Sequence, residues 1–174
     1  MSALYDPEAL AIEAVLKLDE VLKNTLGATK CKSLARRASE LPQLVSQAGL
    51  LQATLFYLSK SDDKLLPELA KALRGGKPSI EKKSLEDECG KEGKGYTLGL
   101  ALLSYALTQL AEKGLLSAAS EECKSLGDPR SIAKCLLSLR ENRLELSAEK
   151  LLEPYLNAVK RLADALHRER EQER

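Results

Sequence analysis

The chain has 174 residues and a formal net charge of +1, with 44% hydrophobic and 30% charged side chains. Near-neutral totals argue against a globally basic nucleic-acid binder, so any such role must rest on a local patch. About a fifth of the residues are leucine, six are aromatic and few are β-branched, a balance that favours helices over strands. The expected fold is all-α: one compact helical bundle spanning 1–174, with about six to eight helices and a charged, Gly-rich loop.

Asp6-Pro7 opens the first helix, Asp as cap and Pro at the first helical position. Ala11, Val15, Leu18, Leu22 and Leu26 form its inward stripe, and Gly27 ends it. Thr29 is placed to cap a second helix, over Leu34, Ala35, Ala38 and Leu41. Pro42 predicts a bend there, because it disfavours helical geometry at Leu41 and removes a backbone donor. A short helix then runs to Ala48, and Gly49 is placed to end it with a positive φ. The next helix runs from Leu50 to Lys60, with Phe56 and Tyr57 expected in the core. Asp62 or Asp63 caps another, through Pro67 to about Arg74.

Residues 75–95 hold five glycines, Pro78, five lysines and five acids. They predict a mobile surface loop, with one helical turn near Lys83 to Glu88. The uncharged run from Gly95 to Ala111 is 17 residues long and contains Thr97, Ser104, Thr108 and Gln109. It predicts a central buried helix, Tyr96 to Lys113, of a protein outside the membrane. Gly114 stops it. A short helix follows over Leu115 to Leu126, and Asp128-Pro129 restarts the chain into a helix over Arg130 to Arg140. Ser147 is placed to cap the last helix, whose firm part begins near Glu153 because of Pro154. Its seam is Leu152, Tyr155, Val159, Leu162 and Leu166, and the charged end from the lone His167 to Arg174 is expected to fray, chiefly over 168–174.

The four cysteines, Cys31, Cys89, Cys123 and Cys135, include no CxxC pair. That spacing argues against zinc, and the four are expected as reduced thiols, three of them on apolar helix faces. An alternative is a Cys123–Cys135 disulfide across the turn Gly127-Asp128-Pro129, of the kind found inside hyperthermophilic cells. Acids and bases run throughout residues 1–26, so no secretory leader is expected. No phosphate loop, GxSxG or HExxH occurs. No catalytic residue, metal or cofactor is therefore assigned.

Charge distribution is more telling than the sum. Between Lys23 and Ser39 lie five basic residues and no acid. If Cys31, Leu34, Ala35 and Ala38 face the core, Lys32 and Arg36 fall opposite and Lys30 and Arg37 lie on the flank. These four form a candidate RNA-backbone contact, which Lys60 and Lys64 extend. A solvated face neutralised by neighbouring acids is the competing reading.

The stretch Ala38-Ser39-Glu40-Leu41-Pro42, Leu44-Val45, Gly49-Leu50, Leu55-Phe56-Tyr57-Leu58, Ser59-Lys60 resembles the signature of the small helical subunit of the type III-B CRISPR effector, the Cmr complex. A looser match is the last helix, Tyr155-Leu156, Lys160-Arg161 and Ala163. The chain departs from the pattern at Ser39-Glu40, often basic in the family, and at Ala48, often Asn. The resemblance implies a non-catalytic, cytoplasmic subunit of antiviral defence, of archaeal or thermophilic origin. It implies partners too: backbone subunits, further copies of itself, and guide and target RNA, with no membrane and no small-molecule substrate. The small subunit of another CRISPR effector, or a helical protein–protein adaptor without RNA, stays open as an alternative.

Overall fold

In a computed structural model, which describes residues 4–27, 30–90 and 93–168, the chain is all-α. Nine α-helices are present among the described residues: α1 Pro7–Leu26, α2 Lys32–Ala48, α3 Leu50–Lys60, α4 Leu65–Leu73, α5 Lys82–Gly90, α6 Tyr96–Glu112, α7 Ser120–Cys123, α8 Pro129–Glu141 and α9 Glu145–His167. The count slightly exceeds the expected six to eight.

Several boundaries follow directly from local chemistry. The Asp6 carboxylate accepts from Ala9 N at 3.0 Å, with Pro7 behind it. Asp128 and Ser131 form a reciprocal capping box at the start of α8. Gly49 takes φ +89° between α2 and α3. Asp62 Oδ1 accepts from Lys64 N and Leu65 N, which opens α4.

Helix α6 runs through the middle, with every residue from Tyr96 to Thr108 buried. Helices α1, α2, α3, α4 and α9 pack around it, and one contiguous core joins them. Tyr155 of α9 is fully buried and donates its hydroxyl to Leu102 O at 2.7 Å. Gly99 lets Tyr57 approach α6, since a Cβ there would sit 2.7 Å from Tyr57 Cε2. Among the described residues no helix is long and apolar enough to cross a membrane.

Five sequence expectations need correction. Helix α2 does not bend into two at Pro42 but continues to Ala48. Leu34, Ala38, Leu41 and Val45 are buried on both sides of the proline, and their packing outweighs a local cost of about 3 kcal/mol. Pro154 likewise sits inside α9, which begins at Glu145 rather than near Glu153 and takes Ser147 into the helix. The buried Ala148 and Leu152 precede the proline, and Tyr155 follows it.

Residues 82–90 are helix α5, not a loop with one turn: Leu85, Glu88 and Cys89 point inward. The cysteines are not reduced thiols. Cys31 joins Cys89, and Cys123 joins Cys135. The second pair is the hairpin disulfide weighed from sequence. The first was not legible because it depends on α5. Finally, His167 is buried at 3% exposure rather than set in an exposed charged tail. Its Nδ1 accepts from Cys31 N at 3.2 Å, and its Nε2 lies 2.9 Å from Asp19 Oδ1. Residues 169–174 of the expected 168–174 tail and the Thr29 cap lie outside the described residues.

Candidate nucleic-acid interface

Helix α2 is two-faced. Its inner stripe packs on the core, and antiparallel α9 lies along one flank. The other flank is covered by the chain running from α5 into α6. Cys31 is bonded to Cys89, the Ser33 hydroxyl donates to Glu88 O, and Arg37 Nε donates to Lys94 O at 2.9 Å. Gly95, at φ +93°, passes so close that a Cβ would lie 2.8 Å from Ser33 Cβ and 2.9 Å from Ser33 O. Only glycine suits both the backbone conformation and the space.

Glu88 is 3% exposed. Its carboxylate accepts from Gly95 N at 2.9 Å and Thr97 Oγ1 at 3.1 Å. Burial pushes its carboxyl up from the ordinary value, and those two hydrogen bonds pull against the rise.

This covering decides the fate of the sequence-predicted residues. Arg37 is buried, at 7% exposure. Its guanidinium stacks 4.0 Å from the Tyr96 ring centroid and meets Glu40 at 2.5 Å. Tyr57 donates its hydroxyl to Arg37 O, and its ring meets Tyr96 edge-on at 5.0 Å. Arg37 is thus a tie between α2 and α6, not a side chain presented to a ligand.

Lys32 and Arg36 are exposed on the opposite side. They line an open cleft of about 620 Å³ with Ala35, Ser39, Glu40, Gln43, Asp164 and Arg168. Asp164 pairs with Arg168 at 3.7 Å. Gln43 also borders a second cleft, of about 520 Å³, which continues along the α2–α9 seam past Asn157 and Lys160 towards Glu149. The two clefts share Gln43 and follow α2: the first sets Lys32, Arg36 and Arg168 against Glu40 and Asp164, and the second sets Lys150 and Lys160 against Glu149 and Glu153. Helix α2 itself spans about 25 Å.

Lys30 is exposed just before Cys31. Lys60 and Lys64 are exposed but line neither cleft. Lys60 Nζ lies 5.9 Å from the centroid of Phe56, which is 40% exposed and so not the core residue expected. Tyr57 is fully buried. Lys160 and Arg168 were not singled out as contacts from sequence. The available signal was the Lys160-Arg161 pair of the last helix, of which only Lys160 turns to this groove, while Arg161 lines another cleft beside α1.

The family model for CRISPR-associated protein (Cas_Cmr5) matches residues 8–166. The chain belongs to this family. It is therefore of the type III-B small-subunit kind. The match runs from the first turn of α1 almost to the end of α9, well past the signature stretch that carried the resemblance. No curated protein and no solved structure matches the chain. In this family member the signature residues Pro42 and Val45 and the last-helix residues Leu156 and Lys160, distant in sequence, meet along the α2–α9 seam.

Proposed function

We propose that this chain is a non-catalytic structural subunit of a type III-B CRISPR ribonucleoprotein that contacts the guide or target RNA backbone through the α2–α9 groove. The carrying observation is the gathering of Lys32, Arg36 and Arg168 around one open cleft. Lys30 is exposed two residues before Lys32, and Lys160 lines the seam further along. Clustered flexible cations of this kind suit phosphates, which position a nucleic acid without reading its sequence. Lys60 and Lys64 line neither cleft and form a separate basic contact near the end of α3. Arg37 is left out of the set because it is buried.

A near-neutral total charge fits close packing of this subunit with copies of itself and with backbone subunits. Individual contacts are weak and the assembly supplies avidity. Cleavage of target RNA is assigned to another subunit.

The test is co-purification of the tagged chain with the backbone subunits and guide RNA, in wild type and in a Lys32→Glu/Arg36→Glu variant. The reading expects wild-type recovery of the ribonucleoprotein and weakened RNA retention in the variant at unchanged fold. Equal RNA retention by both would remove the groove assignment. Failure of the wild type to recover any CRISPR subunit would instead favour the adaptor reading.

A further inference from the structure

We propose that the Cys31–Cys89 disulfide is a redox-operated latch that holds α5 on the N-terminus of α2. Helix α5 has nine residues, of which Leu85, Glu88 and Cys89 are buried. A helix this short does not persist on its own propensity, so its order depends on its attachments. It packs on α1 as well as α2, but its disulfide and the hydrogen bonds that tie Glu88 to other segments meet at one place. The Cys31–Cys89 bond, the Ser33 hydroxyl on Glu88 O, and the Glu88 carboxylate on Gly95 N and Thr97 Oγ1 all lie within one turn of the α5 C-terminus. Opening the bond removes the only covalent member of this set and leaves the carboxylate of Glu88 buried beside a released helix end, an arrangement that favours local opening.

The two disulfides differ in access. Cys89 is 7% exposed, whereas Cys31, Cys123 and Cys135 are fully buried. Cys123–Cys135 closes a 12-residue separation, with Leu126, Ile132, Leu136 and Leu139 buried around it. Cys31–Cys89 closes 58 residues and joins the start of α2 to the end of the short α5.

The chemistry also has a direction. A small dithiol attacks Cys89 Sγ as its thiolate, a new S–S bond forms there, and the Cys31–Cys89 bond breaks with Cys31 leaving as thiolate. Cys31 is the N-cap residue of the 17-residue α2, and a helix N-terminus favours a departing thiolate. Its Sγ also lies 3.6 Å from Ser33 Oγ. The dithiol's second sulfur then displaces Cys89. The balance is two protein thiols and one oxidised dithiol, with two electrons and two protons transferred to the protein. Oxidation reverses each step.

The latch stands without the RNA reading. The experiment therefore reads the full chain alone. The oxidised protein is titrated with dithiothreitol, alkylated, and mapped by peptide mass, and hydrogen exchange is followed at each step. Cys31 and Cys89 should alkylate at a dithiol concentration at least about tenfold below that needed for Cys123 and Cys135. Exchange over 82–90 and 30–36 should quicken about tenfold or more while α6 and α9 keep their protection. An untreated Cys89→Ser variant should show the same pattern. Opening of Cys123–Cys135 first would overturn the proposal, as would a Cys31–Cys89 pair opened with no change over 82–90. Loss of protection throughout the chain, α6 included, would make the bond a staple of the whole fold instead.

Discussion

Two adjacent arginines on α2 show how little separates a structural cation from a surface one. Arg36 looks outward into the cleft with Lys32 and Arg168. Arg37, one residue on, lies under the α5–α6 connection, with its guanidinium on Tyr96, Lys94 O and Glu40. The sequence places both in one basic run. What separates them is roughly 100° of helix rotation and a segment that arrives 57 residues later to cover one flank. The two sides of α2 therefore predict opposite phenotypes: loss of fold on one, loss of binding on the other.

The largest effect is expected on the covered side. Arg37→Ala should lower stability by about 2–3 kcal/mol, from a lost charged hydrogen bond to Lys94 O and the lost contact with Tyr96. The Glu40 partner is more than a third exposed, so its share is discounted. Denaturant unfolding measures the change, and RNA retention by the folded fraction should stay as in wild type. Gly99→Ala comes next, at about 1–3 kcal/mol, because the added methyl meets the buried Tyr57 ring. Gly95→Ala should cost a similar amount through Ser33 and its left-handed backbone. On the outer side, Arg36→Ala should alter stability by less than about 0.5 kcal/mol. If Arg36→Ala unfolds the chain as readily as Arg37→Ala, the two-sided description fails.

A pH series sharpens the same contrast at the start of α2. Burial holds the His167 imidazole below its ordinary value, opposed by the Asp19 carboxylate and assisted by Lys23 and Lys30. The unfolded chain therefore binds the proton more readily than the folded one, and stability falls as pH drops below about 6.5 towards the folded value. Protonated Nδ1 also can no longer accept from Cys31 N. Thermal unfolding of wild type should weaken more between pH 7.5 and 5.5 than that of His167→Gln. Equal slopes would mean that this imidazole does not respond as its burial requires.

Where local chemistry dominates, the fold was legible in the sequence. Asp6-Pro7 and Asp128-Pro129 set helix starts through their own side chains, and the uncharged run from Tyr96 marked the central helix. Pro42 and Pro154 misled because local rules gave breaks where buried side chains on both flanks carry the helix through. Helix α5 was half legible: its turn near Lys83 to Glu88 was foreseen, but its order rests on Cys31, Ser33 and Thr97, far away in sequence. For the candidate interface, helical spacing correctly separated Lys32 and Arg36 from the core face. It did not reveal that a neighbouring segment would bury Arg37, or that Arg168 of the last turn would complete the cleft. Such features belong to tertiary packing, which no local pattern encodes.

The most direct test of the groove is the salt dependence of target-RNA binding by the assembled ribonucleoprotein, in wild type and with Lys32→Ala/Arg36→Ala. Each lost phosphate contact should make the log–log slope shallower by about 0.7 to 0.9. A shallower slope in an intact, fully assembled variant is the predicted result, and an unchanged slope in that same complex would contradict it.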